Sequence, residues 1–145
     1  MSLPLAVKFI NHVQPAIILM SATVALSAAL ITLALVFYSV GVWAERLARY
    51  LKGWHVAAFW LGFLFDVSGT LAMHRLADGP FNILEPHTLT GQVALWLMLA
   101  HAVWAVAVVR KGSEQARGNF HRYSLLVWLF WLIPYVGGMY IGMKG

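Results

Sequence analysis

Ionisable side chains are scarce in this chain, so the few that interrupt its apolar runs carry the chemical argument. His87 and His101 stand fourteen residues apart in HTLTGQVALWLMLAHAVWAVAVVR, a stretch almost wholly apolar after its first residues. On an α-helix that spacing is a rise of about 21 Å. At 3.5 residues per turn, the winding of supercoiled helices, it makes four whole turns, so both imidazoles leave one face. Gly91, Ala94, Met98 and Ala105 continue the same face. Imidazole is an axial ligand of haem iron. Two imidazoles on one seam, at different depths of a bilayer about 30 Å thick, suit two haems stacked one above the other.

Other residues extend the pattern. Gly62, Asp66, Thr70 and His74 recur every fourth residue, hence on one helical face. Asp66 falls near the middle of its apolar run. A carboxyl there costs a few kcal/mol or more in lipid, so it must face a protein interior and find a partner. His121, Ser124, Trp128, Trp131, Tyr135, Gly138 and Gly142 are spaced 3-4-3-4-3-4, and the last two form a small-residue contact motif. Sorted by depth, His74 and His87 fall near one surface and form one pair. His101 and His121 form the other, with His121 shallower by about two turns of rise. Met98 offers a thioether, although a methionine on a seam is usually core. Tyr135 and the tryptophans are more often packing groups. His12 and His55, at the ends of runs, read as interfacial residues. No cysteine is present, which excludes disulfides, thiolate ligands and iron–sulfur clusters.

Positioning these groups requires helices that cross a membrane. The 145 residues are 61% hydrophobic and 10% charged, with a mean hydropathy of +0.77. Such long apolar runs are transmembrane helices, and the length allows a single domain, 1–145. The expected fold is an all-α integral membrane four-helix bundle, up-down-up-down, with helices over about 16–43, 55–74, 87–110 and 120–142. Pro15 suits the first helix start, and Pro134 should kink the fourth helix. On helix one, Ser21, Ala25, Ala28, Thr32 and Ser39 form a small and polar stripe that would admit close neighbours. Asp78, Gly79 and Pro80 mark a turn before helix three. The net charge of +5 is concentrated in the loops 44–54 and 110–122. That pattern sets topology rather than nucleic-acid binding. It puts both loops in the cytoplasm, the protein in the cytoplasmic (inner) membrane and both termini outside. Trp43, Trp54 and Trp104 fit an interfacial belt.

Over helices two to four the sequence resembles the HsmA-like family of small four-helix membrane proteins. The resemblance rests on Asp66 to Thr70 (DVSGT), His87 to Gly91, Met98 to Ala105 (MLAHAVWA), His121 to Ser124 with Trp128 and Trp131, and Tyr135 to Met139 (YVGGM). It covers roughly half the chain and implies the four-helix architecture. The two-histidine helix also resembles the ligand helices of membrane b-type cytochromes. Those proteins commonly supply a second pair of histidines, fourteen apart, from one partner helix. Here the positions fourteen after His121 and fourteen before His74 are Tyr135 and Trp60, so partner ligands must come from two different helices.

The expected function is therefore a small membrane b-type cytochrome with one or two bis-histidine haems b, moving electrons within or across the membrane. His87 and His101 would be ligands, His74 and His121 their partners, with Gly91, Met98, Asp66 and Tyr135 around the cofactor. Loops this short hold no flavin or nucleotide domain. The donor would be a quinol or small reductant. The alternative is a non-redox haem or small-molecule sensor, or an accessory subunit, with Asp66 and histidines lining an intramembrane pocket. A metal site from His74, Asp78, Glu85 and His87 matches no standard zinc spacing. Gly138 and Gly142 permit a homodimer.

Overall fold

The computed structural model describes residues 3–75, 82 and 84–144, without the side chains of 3–6, 8, 9, 11 and 12. The expected turn at Asp78 to Pro80 and the side chain of His12 lie outside the described residues. Four helices make up the bundle: α1 (Leu3–Ala48), α2 (Gly53–His74), α3 (Pro86–Lys111) and α4 (Glu114–Lys144). No strand occurs among the described residues. All four helices are long and apolar enough to cross a membrane, the makeup of an integral membrane protein.

The ends of α2 and α3 agree with the sequence reading to within two residues, whereas α1 and α4 are longer. Pro15 lies inside α1 rather than at its start. The helix also runs past Trp43, because Ala44, Glu45, Arg46, Leu47 and Ala48 include strong helix formers. It ends at Arg49, whose φ of 49° takes the left-handed cap position that glycine usually fills. α4 starts early because the Ser113 hydroxyl accepts a hydrogen bond from the Ala116 N–H at 3.1 Å. Glu114 in its first turn complements the helix dipole.

α1 and α2 share the most extensive helix contact, and α3 packs chiefly on α4. α2 also meets α3, and α1 meets α4. Gly62 lies under the Tyr38 ring, and Gly69 lies against Ile31. A Cβ at either glycine would come within 2.5 Å of its neighbour, so only hydrogen fits there. These pairs advance in opposite directions along the two helices, as antiparallel neighbours do. His101 with Ser124, and Trp104 with Tyr123, give the same sense for α3 and α4.

The buried face of α1 is Ser27, Ala34, Tyr38, Val42 and Glu45. The stripe read from the sequence is elsewhere: Ser21, Ala25, Ala28 and Thr32 are exposed. Close approach comes instead from Gly62 and Gly69 of α2 and Gly41 of α1, each beneath a bulky side chain of the other helix. Burial in α2 reaches Gly69, in α3 it begins at Ala94, and in α4 it ends at Trp131. The opposite end of the bundle is more tightly bound. There Arg117 donates to the Leu51 carbonyl from Nε (3.1 Å) and Nη2 (2.9 Å), and the Leu51 N–H donates to the Arg117 carbonyl at 3.1 Å. The Arg117 guanidinium lies 4.4 Å from the Tyr50 ring centroid.

Gly62→Val forces a side chain into the Tyr38 ring. Overpacking of this kind costs about 1–3 kcal/mol, so thermal unfolding in detergent should begin several degrees lower. Gly53→Ala meets no neighbouring atom within 4 Å and should leave the melting curve in place.

Candidate functional site

Two polar clusters lie in the bundle interior. In the first, Asp66 of α2 accepts two hydrogen bonds on Oδ2. One comes from Trp131 Nε1 of α4 at 2.7 Å, the other from Tyr38 Oη of α1 at 3.2 Å. The Tyr38 and Trp131 rings meet edge to face at 5.1 Å, and Tyr135 stacks on Trp131 at 5.4 Å. Asp66 is 6% exposed. The sequence argument that it needs an interior partner is met by two donors.

The second is built on Ser124 of α4, which meets His101 of α3 and Glu45 of α1, all buried; His55 of α2 is buried as well. His101 Nε2 and Ser124 Oγ share a hydrogen bond of 2.7 Å. The Glu45 carboxyl lies beside Ser124, yet neither of its oxygens completes a hydrogen bond. His55 accepts the Lys52 N–H on Nδ1 at 3.1 Å, the reach-back of an N3 residue to the helix cap. That bond fixes the tautomer of a neutral ring, leaving Nε2–H as a buried donor without a partner. His101 Nδ1 is likewise buried without one. His55 is thus not the interfacial side chain expected from the sequence. Because α1 extends beyond Trp43, Glu45 falls on the inward seam, and His55 with it at the facing end of α2.

The expected ligands are dispersed. His101 is buried, with the rings of Phe59 and Phe120 at 4.6 Å and 5.1 Å. His121 donates from Nδ1 to the Gly118 carbonyl of its own helix at 2.8 Å. It is not drawn onto His101, whose partner on α4 is Ser124, one turn on. Met98 is fully buried among Ala34, Tyr38, Ala94 and Trp131, a packing role. His74 and His87 lie at the exposed ends of α2 and α3. Phe59 against His101 sets the register of these two helices, and counting outward from that contact brings His74 and His87 to matching heights. The His87 ring sits over Gly138, where a Cβ would lie 3.0 Å from Cε1 and 3.4 Å from Nε2. Gly91 faces open space, as does Gly142.

These positions differ in their fit to a haem. A porphyrin at His101 must displace the Phe59 and Phe120 rings packed on the imidazole, so the inner position does not fit. At the outer end the His87 ring covers Gly138, but Gly91, one turn along α3, faces open space, so a haem meets less packing there than at His101. Among the described residues no three His, Asp or Glu side chains are placed to hold a metal ion, and Asp78 of the expected zinc set lies outside them. No known family model, curated protein or solved structure matches this chain.

Ser124 and Glu45 are the residues that motif reading undervalued. Ser124 was visible as a member of the helix-four seam. Glu45 is hidden because it falls in the segment 44–54 that the sequence places in a basic loop.

Replacing Asp66 with alanine strands two buried donors at about 1–3 kcal/mol each, whereas Asp66→Asn keeps an acceptor oxygen. Equilibrium unfolding in mixed detergent should rank the proteins wild type, Asp66→Asn, then Asp66→Ala, in falling stability.

Proposed function

We propose that this protein is a small b-type cytochrome of the cytoplasmic membrane, built up-down-up-down with both termini outside and the loops 44–54 and 110–122 in the cytoplasm. The antiparallel helix contacts and the basic composition of those two loops support that orientation. The reading assigns one haem b to the outer end, with His87 as its anchor and His74 as the partner ligand. The observation that supports it is the open space beside Gly91, one turn along α3 from His87, at the end where His74 and His87 stand at matching heights. A flat macrocycle needs such a side-chain-free margin beside its ligand. When bound, haem supplies one-electron chemistry, and a quinol or small reductant is the donor. His87 and His74 would hold the group, Gly91 would leave space for it, and Tyr135 would stand on its inner side.

A second reading follows from the cluster of Glu45, His55, His101 and Ser124. Buried ionisable groups inside a membrane bundle are functional by default. A non-redox protein that binds a small molecule at this interior is the alternative. Iron content separates the two.

Protein purified from haem-replete cells should be red, with a b-type reduced spectrum and one haem per chain. His87→Ala and Gly138→Leu should lose the colour, and His101→Asn should keep it. A colourless wild type that ignores added hemin ends this reading, as does colour that depends on His101 and not on His87.

A further inference from the structure

We propose that Glu45, Ser124 and His101 hold one exchangeable proton inside the bundle, loaded from the end that carries the basic loops. The Glu45 carboxyl is fully buried, and neither oxygen completes a hydrogen bond. Ser124 Oγ lies beside it and shares the 2.7 Å hydrogen bond with His101 Nε2. Helix register brings a fourth group to this level. Ile31 against Gly69 and Tyr38 over Gly62 stand one heptad apart on the seam of α1 and α2. One heptad further along both helices come Glu45 and His55, each wholly buried. His55 accepts the Lys52 N–H on Nδ1, which leaves the hydrogen on Nε2, a buried nitrogen without a partner. Two acceptor oxygens and one donor, all unsatisfied, thus share one level of the seam.

Buried polar groups are nearly always paired, and an exception calls for a reason. Proton exchange supplies one, because a group that gains and loses a proton needs different partners in its two states. With its proton, the Glu45 carboxyl is a donor, and Ser124 Oγ is the acceptor beside it. Without it, the carboxylate only accepts, and His55 Nε2–H is the donor at its level. The transfer conserves charge and moves no electron. The Glu45 acid gives its proton to Ser124 Oγ as Ser124 gives its own to His101 Nε2, with the other ring hydrogen of His101 on Nδ1. Glu45 ends as carboxylate and His101 as imidazolium, and the reverse step restores both. His101 Nδ1 is enclosed, with the Phe59 and Phe120 rings packed on the imidazole, so the proton goes no further. Loading comes from the turn. Glu45 lies one turn from the end of α1 and His55 in the first turn of α2, within about 5 Å of rise from the loop. A proton taken up at His55 Nδ1, in place of the Lys52 N–H, releases the one on Nε2 to the carboxylate. The titratable and charged groups that face Glu45 are therefore His55 from α2 and, beyond Ser124 of α4, His101 from α3. At the turn stand Lys52, which is exposed, and Arg117, which is held on the Leu51 carbonyl.

This inference goes beyond the electron-transfer reading, and its test needs no haem. Protein in liposomes is followed by infrared difference spectroscopy as the buffer is taken from alkaline to acid, in water and in deuterium oxide. Carbon-13 glutamate separates Glu45 from Asp66 without any substitution. Glu85 and Glu114 are exposed, so their bands exchange deuterium at once. The expected signal is a slowly exchanging, isotope-shifted carboxylic acid band that rises as pH falls and is lost in Glu45→Gln. Nitrogen-15 histidine reports the imidazoles, and the band lost in His101→Asn belongs to His101. In the wild type the Glu45 and His101 bands should change at one midpoint. Ser124→Ala cuts the link, and the two midpoints should separate. His55→Phe should slow deuterium exchange at Glu45, the opposite of what a loosened fold would give. A glutamate band that ignores pH while the protein stays folded, or that survives Glu45→Gln, would overturn the proposal. So would a common midpoint kept in Ser124→Ala, or exchange no slower in His55→Phe.

Discussion

A carboxyl group halfway along an apolar helix has to be satisfied before anything else in this bundle can be arranged. Asp66 meets that demand with an indole from α4 and a phenol from α1, both on the same oxygen. Three helices are thereby fixed in rotation about one atom. Tyr38 can reach that atom only because Gly62 leaves space beneath its ring. Trp131 in turn carries Tyr135 on its outer face. The buried layer of Ala34, Met98 and Ala94 closes around the same group. Nearer the basic loops, His101 of α3 meets Ser124 of α4.

Packing and polarity are distributed unequally along the bundle axis. Toward the basic loops the interior is filled, and its polar atoms belong to Glu45, His55, His101 and Ser124. Toward the other end, glycines replace side chains and the helices stand further from full burial. A large rigid cofactor and a compact hydrogen-bonding site need different surroundings, and the two ends differ in that sense. The rise from His87 to His101, about 21 Å, separates them. Electron traffic between the ends is a property of the proposed function. The contrast in packing stands apart from it.

The fold was readable because lipid leaves few choices. Apolar runs longer than about 20 residues must be helices, and short polar gaps must be turns. The seams of α2, α3 and α4 followed from Asp66, His101 and Ser124, and all three are buried. The seam of α1 did not follow from its small residues. Small side chains allow close contact but do not compel it, and the glycines of α2 supplied that contact instead. Glu45 was obscured because helix ends are the least determined part of a sequence reading, and five more residues of helix turned a loop acid into a core acid. The engagement of His101 with Ser124 was hidden for another reason. Spacing reports which face a residue occupies, not which of several facing groups it touches.

The paired bonds between Leu51 and Arg117 join parts of the chain made far apart in time. Residue 51 leaves the ribosome well before residue 117, so the first hairpin has to wait with this turn exposed to water. The last helix must enter before the backbone of that turn gains its donor and acceptor. A chain that stops short of α4 keeps its first two helices but leaves the connection between them unanchored. Arg117 therefore ties the turn of the first hairpin to the start of α4 with both its side chain and its backbone.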